Sequence, residues 1–279
     1  IVKLESLLRD APDDMESISY LARIYKEIWW DHWTPIAEQG ERMRVAYSAS
    51  NWLVKSIETY LLGYRINLNH VYSGVNALTL VALLDHLSRT VGGDKADADV
   101  EAVRRQFTDL KGAVRLAVEA EVQRNPNDYW AMASLAEVAV NLAEDPDEVA
   151  RLYKKAITIS RRQMFMLDSS MQQLKQLDAL AFRPPFVQAG MNVLNESLQA
   201  SRQANEPREE QPQAKPATLS QVFLFSGHMI DQPERAEPRF PPVMEDEARQ
   251  RIAQALDKFN ADANDSAVTA GAACGGDIL

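Results

Sequence analysis

Residues 43–91, MRVAYSASNWLVKSIETYLLGYRINLNHVYSGVNALTLVALLDHLSRTV, permit few folds. In the first half, Ala46, Ala49, Trp52, Leu53, Ile57, Tyr60 and Leu61 recur at steps of three and four, which lines them along one helical face. Asn67, Asn69 and the Ser73-Gly74 pair punctuate the chain. A second helix is expected from about Ser73, carrying Val75, Leu78, Leu80, Val81, Leu83, Leu84 and Leu87. That helix is apolar nearly all round, so it must be covered on more than one side. Two such helices joined by a short polar loop cannot bury both faces alone and require neighbours stacked on each side.

The rest of the chain supplies those neighbours. A short amphipathic helix over residues 1–10 ends at Ala11-Pro12, and Asp13 or Asp14 caps a helix over about 15–33. Its end carries Trp29, Trp30 and Trp33, which read either as an anchor packed into the core or as an aromatic wall facing a partner or ligand. Residues 34–40 read as a loop, and Gly92-Gly93-Asp94 as a break. One long helix is expected over 97–124, then helices over about 128–143, 147–162, 164–182 and 184–201, separated by Asn125-Pro126, Asp145-Pro146 and Pro184-Pro185. The units span roughly 34–45 residues, the period of helical-hairpin repeats. NWLVKSIETY (51–60) and RLYKKAITIS (151–160) echo each other weakly.

Bulk properties narrow the function. A net charge of −10 over 279 residues excludes a general nucleic-acid or anionic-membrane binder, which needs a basic surface. The single cysteine, Cys274, excludes an internal disulfide framework and fits a reducing, cytoplasmic setting. No apolar run reaches the ~18 residues of a membrane span. His32, His70 and His86 lack metal-ligand spacing. The start at Ile1 and the stop at GGDIL suggest a fragment cut at both ends.

The segments LARIYKEIWWD (21–31), NWLVKSIETY and YSGVNALTLVALL (72–84), in that order, resemble the tetratricopeptide-like TRAF-binding domain of the apoptosis signal-regulating kinases and its bacterial relatives, the tetratricopeptide-repeat sensor domains. The resemblance covers about residues 14–200. It implies an all-helical right-handed solenoid that binds a protein partner or a small ligand beside a signalling or effector module.

Residues 203–218 are polar, with Pro207, Pro212 and Pro216 forbidding a continuous helix, and read as a linker between a helical domain over 1–202 and a different unit over 219–279. In that unit LSQVFLFSG (219–227) is a buried-strand pattern, residues 244–261 are an amphipathic helix, and residues 266–271 a second short strand. Strand, helix and strand in this length form a βαβ unit with parallel strands. Ligands of such sheets lie beyond the carboxyl ends of the strands, where Ser226, Gly227 and His228 fall on one side and Gly271, Gly275, Gly276 and Asp277 on the other. Glycine admits a phosphate close to the backbone, Arg235 and Arg239 are candidate phosphate contacts, and Asp231 a candidate acid/base or ligand contact. The bland readings are a polar turn for His228, a helix cap for Asp277, solvated ion pairs for the arginines and a packed thiol for Cys274.

SGHMID, RFP and GAACGGD, in that order, resemble the opening ~60 residues of the SLOG superfamily of Rossmann-like nucleotide-binding domains. That implies a nucleotide or nucleotide-sugar ligand. The PGGxGT signature of its phosphoribohydrolase branch is absent, which argues against catalysis. The expectation is therefore a mainly helical repeat followed by a truncated α/β unit, acting as a signalling sensor or scaffold. The alternatives are a nucleotide- or NAD-processing hydrolase and a pure protein-interaction module.

Overall fold

The computed structural model describes residues 1–92, 98–160, 163–205, 221–226, 250, 251, 253, 254 and 266–271. The chain divides into two units, Ile1–Glu206 and Pro207–Leu279. Among the described residues the first is wholly helical: α1 (Val2–Asp10), α2 (Met15–Trp33), α3 (Gln39–Ser48), α4 (Ser50–Ile66), α5 (Val71–Val91), α6 (Ala98–Arg104), α7 (Phe107–Arg124), α8 (Tyr129–Leu142), α9 (Pro146–Ile159), α10 (Met164–Ala179) and α11 (Pro184–Asn205). Local chemistry sets several starts. The carboxylates of Asp128 and Asp145 accept from the backbone N–H groups of Trp130 and Asp147, and Pro146 opens α9 where its missing N–H is not needed.

The helices pack as successive hairpins: α2 on α4, α5 on α7, α8 on α9, and α10 on α11, with α4 against α5, α5 and α7 against α8, and α9 against α11. One apolar core runs through them from Ala22 to Leu198. α5 is its axis, and every residue from Ser73 to Leu84 is buried, as the all-round apolar pattern requires. Close approach at two places depends on glycine. A Cβ on Gly74 would meet the Tyr64 ring at 2.8 Å, and one on Gly190 would meet Leu174 and Tyr153 at 2.8 Å.

Two expected helices are interrupted. The segment before Ile66 breaks at Ala49, which leaves the helical region at ψ 14°. α3 lays Ala46 against Trp29, while α4 turns its stripe onto α2, and one straight rod cannot do both. The segment over 97–124 breaks at Arg105-Gln106, because α6 packs on α4 and α5 whereas α7 packs on α5 and α8. Arg104 pins α6 to α5 through an ion pair with Asp85 at 2.6 Å. The expected loop over 34–40 is shorter, since Glu38 caps α3 by accepting from Gly40 and Glu41.

In the second unit, β1 (Gln221–Ser226) and β2 (Ser266–Gly271) pair in parallel, with Gln221 opposite Ser266 and Ser226 opposite Gly271. The helix expected between them lies largely outside the described residues.

Candidate functional site

Four helices present polar residues at the same spacing. α2 carries Ser19, Arg23, Lys26 and Trp30, α5 carries Tyr72, Asn76 and Thr79, α8 carries Trp130, Ser134, Glu137 and Asn141, and α10 carries Ser170 and Gln173. Steps of four and three keep each set on one helical face.

These faces are joined by hydrogen bonds. Lys26 Nζ donates to Asn76 Oδ1 at 2.7 Å, and Asn76 Nδ2 donates to the Tyr72 carbonyl at 2.9 Å. One turn further along α5, Thr79 Oγ1 donates to Glu137 Oε1 at 2.9 Å. Asn141 Nδ2 donates to Thr79 Oγ1 and to the Glu137 carbonyl, both at 2.9 Å. Gln173 Nε2 reaches Glu137 Oε1 at 3.3 Å, and Tyr129 OH and Ser170 Oγ share a bond of 2.7 Å. The Lys26–Asn76 and Asn141–Thr79 bonds are buried, and each satisfies groups that would otherwise lack water.

The row is electrostatically tense. Lys26 is 6% exposed, and its ammonium lies 4.9 Å from the Trp30 ring centroid and 5.8 Å from that of Tyr60. Burial pushes its pKa down to about 8, against the opposing pull of the nearby Glu137 carboxylate. Burial pushes the Glu137 carboxyl up, while Thr79, Lys26 and Gln173 hold it back. Tyr129 is raised to about 12 by desolvation. At the N-terminal ends of α8 and α10 the row meets open aromatics. Trp130 is 43% and Phe165 53% exposed, packed edge-to-face with centroids 6.3 Å apart.

Chemically, the row is a line of charged and hydrogen-bonding groups. It offers an ammonium, a carboxyl, amides and hydroxyls in a line. His70 Nδ1 lies 2.8 Å from Ser73 Oγ, and Ser73 is fully buried where α5 begins. No cluster of His, Cys, Asp or Glu among the described residues could hold a metal ion. No helix among them is long and apolar enough to cross a membrane.

Of the tryptophans singled out in the sequence, Trp29 and Trp33 are 0% and 2% exposed and lie in the core, so they are anchors and not a partner-facing wall. Trp29 Nε1 donates to the Ala46 carbonyl at 2.8 Å, and its ring packs edge-to-face on Trp33. Trp30 is half-buried beside Lys26. Ser226 and Gly271 end the two parallel strands as register partners. Gly227, His228, Asp231, Arg235, Arg239, Gly275, Gly276 and Asp277 lie outside the described residues. Sequence reasoning passed over Lys26, Asn76, Thr79, Glu137 and Gln173. Their signal was a polar residue at a stripe position of an otherwise apolar helix.

Residues 1–81 match a family model described as Tetratricopeptide Repeats-Sensor. The matched stretch runs from α1 through the first half of α5 and includes both Lys26 and Asn76. Over those residues the chain is similar to that family, in keeping with the helical hairpins seen there. Neither the curated proteins nor the solved structures contain a match to the chain.

Proposed function

We propose that the helical unit, residues 1–202, is the recognition half of a signalling sensor or scaffold, and that the polar row across α2, α5, α8 and α10 receives a protein partner or a nucleotide-derived ligand. The observation that carries this reading is the Lys26–Asn76 and Thr79–Glu137 pairing. A fold built only for stability has little reason to hold an ammonium and a carboxyl within its helix layers, since apolar residues of similar volume would be neutral or better. The exposed Trp130–Phe165 pair adds the aromatic surface common at binding hot spots.

The same reading takes residues 203–218 as a linker and residues 219–279 as the opening of a SLOG-like nucleotide-binding module in a cytoplasmic protein. Parallel pairing of β1 with β2 supports it, because parallel strands require a crossover and leave both strand ends on one edge. Ser226, Gly227, His228, Asp231, Arg235, Arg239, Gly271, Gly275, Gly276 and Asp277 would then line that edge.

Calorimetric titration of the whole chain with a panel of nucleotides and nucleotide-sugars tests the ligand, with Lys26→Met and Glu137→Gln as controls for the row. Silence of every nucleotide at millimolar concentration removes the nucleotide part. Recovery of one defined partner, lost in Trp130→Ala and in Lys26→Met, then favours a pure interaction module.

A further inference from the structure

α2 and α4 pack directly on each other, so α3, set between them in the chain, is an excursion from their hairpin. Its ten residues include one buried residue, Ala46, while Met43, Val45 and Tyr47 rest partly buried on the core. It begins after Glu38, whose carboxylate accepts from Gly40 and Glu41, and it ends at Ala49, where ψ is 14°. We propose that α3 is a strap that opens as a unit between those two breaks while the hairpins stay folded, with Arg42 as its latch on α10.

The latch joins distant parts of the chain. Arg42 Nε and Nη2 donate to the Ile36 carbonyl at 2.9 and 2.6 Å, which fixes the guanidinium at the entry to α3. Its Nη1 reaches the Ala179 carbonyl at 3.2 Å, 137 positions away, and Gln39 Nε2 lies 3.4 Å from the Asp178 carbonyl. Both carbonyls belong to the C-terminal end of α10. The last carbonyls of a helix lack an N–H one turn ahead and carry partial negative charge, so a guanidinium suits them. The adjoining Leu180 carbonyl accepts from His86 Nε2 of α5 at 3.0 Å. α10 therefore keeps its hold on α5 when the strap lets go.

Elements that open below the cost of global unfolding bury little apolar surface and make solvent-exposed bonds. α3 has both traits. It buries Ala46 alone, whereas α5 buries every residue from Ser73 to Leu84, and its Gln39–Asp178 bond is exposed. At its other attachment, Trp29 Nε1 donates to the Ala46 carbonyl at 2.8 Å, and the indole is fully buried. Opening the strap withdraws that carbonyl and lets water reach the ring. Closed, the strap couples the first hairpin to the α10–α11 connection; open, it frees the two from each other. None of the bonds at the latch involves the polar row.

Hydrogen exchange on the whole chain, followed by mass spectrometry in rising sub-denaturing urea, tests the strap. In the parent, the amides of residues 42–48 are expected to exchange faster than those of α5, at a rate nearly independent of urea, which marks local opening. Arg42→Gln removes a charged donor and should speed exchange over 42–48 by about tenfold or more, with α5 and α8 as in the parent. Arg42→Lys keeps the charge but not the fork that holds Ile36 and Ala179 together, so it should fall between the two. If α3 and α5 of the parent exchange together with one urea dependence, the strap is overturned, and this measurement decides even if Arg42→Gln fails to fold. Unchanged exchange over 42–48 in a folded Arg42→Gln overturns the latch, as does equal acceleration of α3, α5 and α8.

Discussion

Lys26 Nζ on α2 donates to Asn76 Oδ1 on α5 at 2.7 Å, joining two buried residues fifty positions apart. The bond ties the first helical hairpin to the central helix through a charge that burial disfavours. Its pKa of about 8 against an ordinary 10.5 corresponds to a penalty of about 3 kcal/mol on the folded state. The sign follows from proton counts. Between about pH 8 and 10.5 the unfolded chain holds the proton and the folded chain does not, so stability attributable to Lys26 rises across that window and the penalty is complete below it. The buried tyrosines titrate nearby, so the readout is the difference in denaturant stability between the parent and Lys26→Met. The variant's relative advantage should shrink as pH rises from 8 to 10.5.

Glu137 behaves in the opposite sense. Its carboxyl is raised by burial, so its contribution is greatest at acid pH, below its unfolded pKa, and is lost as pH climbs through the folded value. Glu137→Gln keeps the acceptor for Thr79 and Gln173 and removes the charge. Chemical denaturation from pH 4 to pH 8 should show the variant gaining on the parent as pH rises. A pH-independent difference would mean that the carboxyl is solvated.

The two buried tryptophans of α2, Trp29 and Trp33, should separate by role. Trp29→Ala empties a fully buried site and is expected to lose about 3–5 kcal/mol. Trp29→Phe also leaves the Ala46 carbonyl, at the last turn of α3, without its donor, an added loss of about 1–3 kcal/mol. Trp33 Nε1 is buried with no partner, so Trp33→Phe removes an unsatisfied donor and should be milder than Trp29→Phe. Urea unfolding of the three variants checks the order.

Two glycines in helices should respond with opposite signs. Gly74→Ala drives a methyl into the Tyr64 ring and is expected to destabilise by about 1–3 kcal/mol. Gly112→Ala meets open space in mid-helix and should stabilise by roughly 0.5–1 kcal/mol through helix propensity. Thermal melts of both variants against the parent decide it.

The α10–α11 connection carries two non-glycine residues in the left-handed region, Ala181 at φ 53° and Arg183 at φ 39°. Ala181→Gly relieves that strain and should stabilise by up to about 1 kcal/mol. Arg183→Gly relieves strain too, but it strips the donors from the Val140 and Ala143 carbonyls, so a net loss of about 1–2 kcal/mol is expected. If Arg183→Gly proved neutral, the cap on α8 would be energetically idle.

Much of the helical unit was legible because its signals are local. Apolar residues at three- and four-residue steps, Asp128 and Asp145 as caps, and Pro146 and Pro184 as openings give the helices and their turns from short windows of chain. The same windows predicted straight rods through Ala49 and Gln106. Periodicity states which face is apolar, and it is silent on how many neighbours that face must reach.

The chain's residues therefore determined helix content and the buried axis of α5, each of which depends on neighbours a few positions away. Tertiary structure alone decided that Trp29 and Trp33 turn inward, that Lys26 finds Asn76 and that Thr79 finds Glu137. Trp29 meets Ala46 seventeen positions on, and the two polar bonds join residues fifty and fifty-eight positions apart. An isolated lysine or asparagine in an apolar stripe has no local partner to announce it, and only packing of separate helices brings the partner within 3 Å.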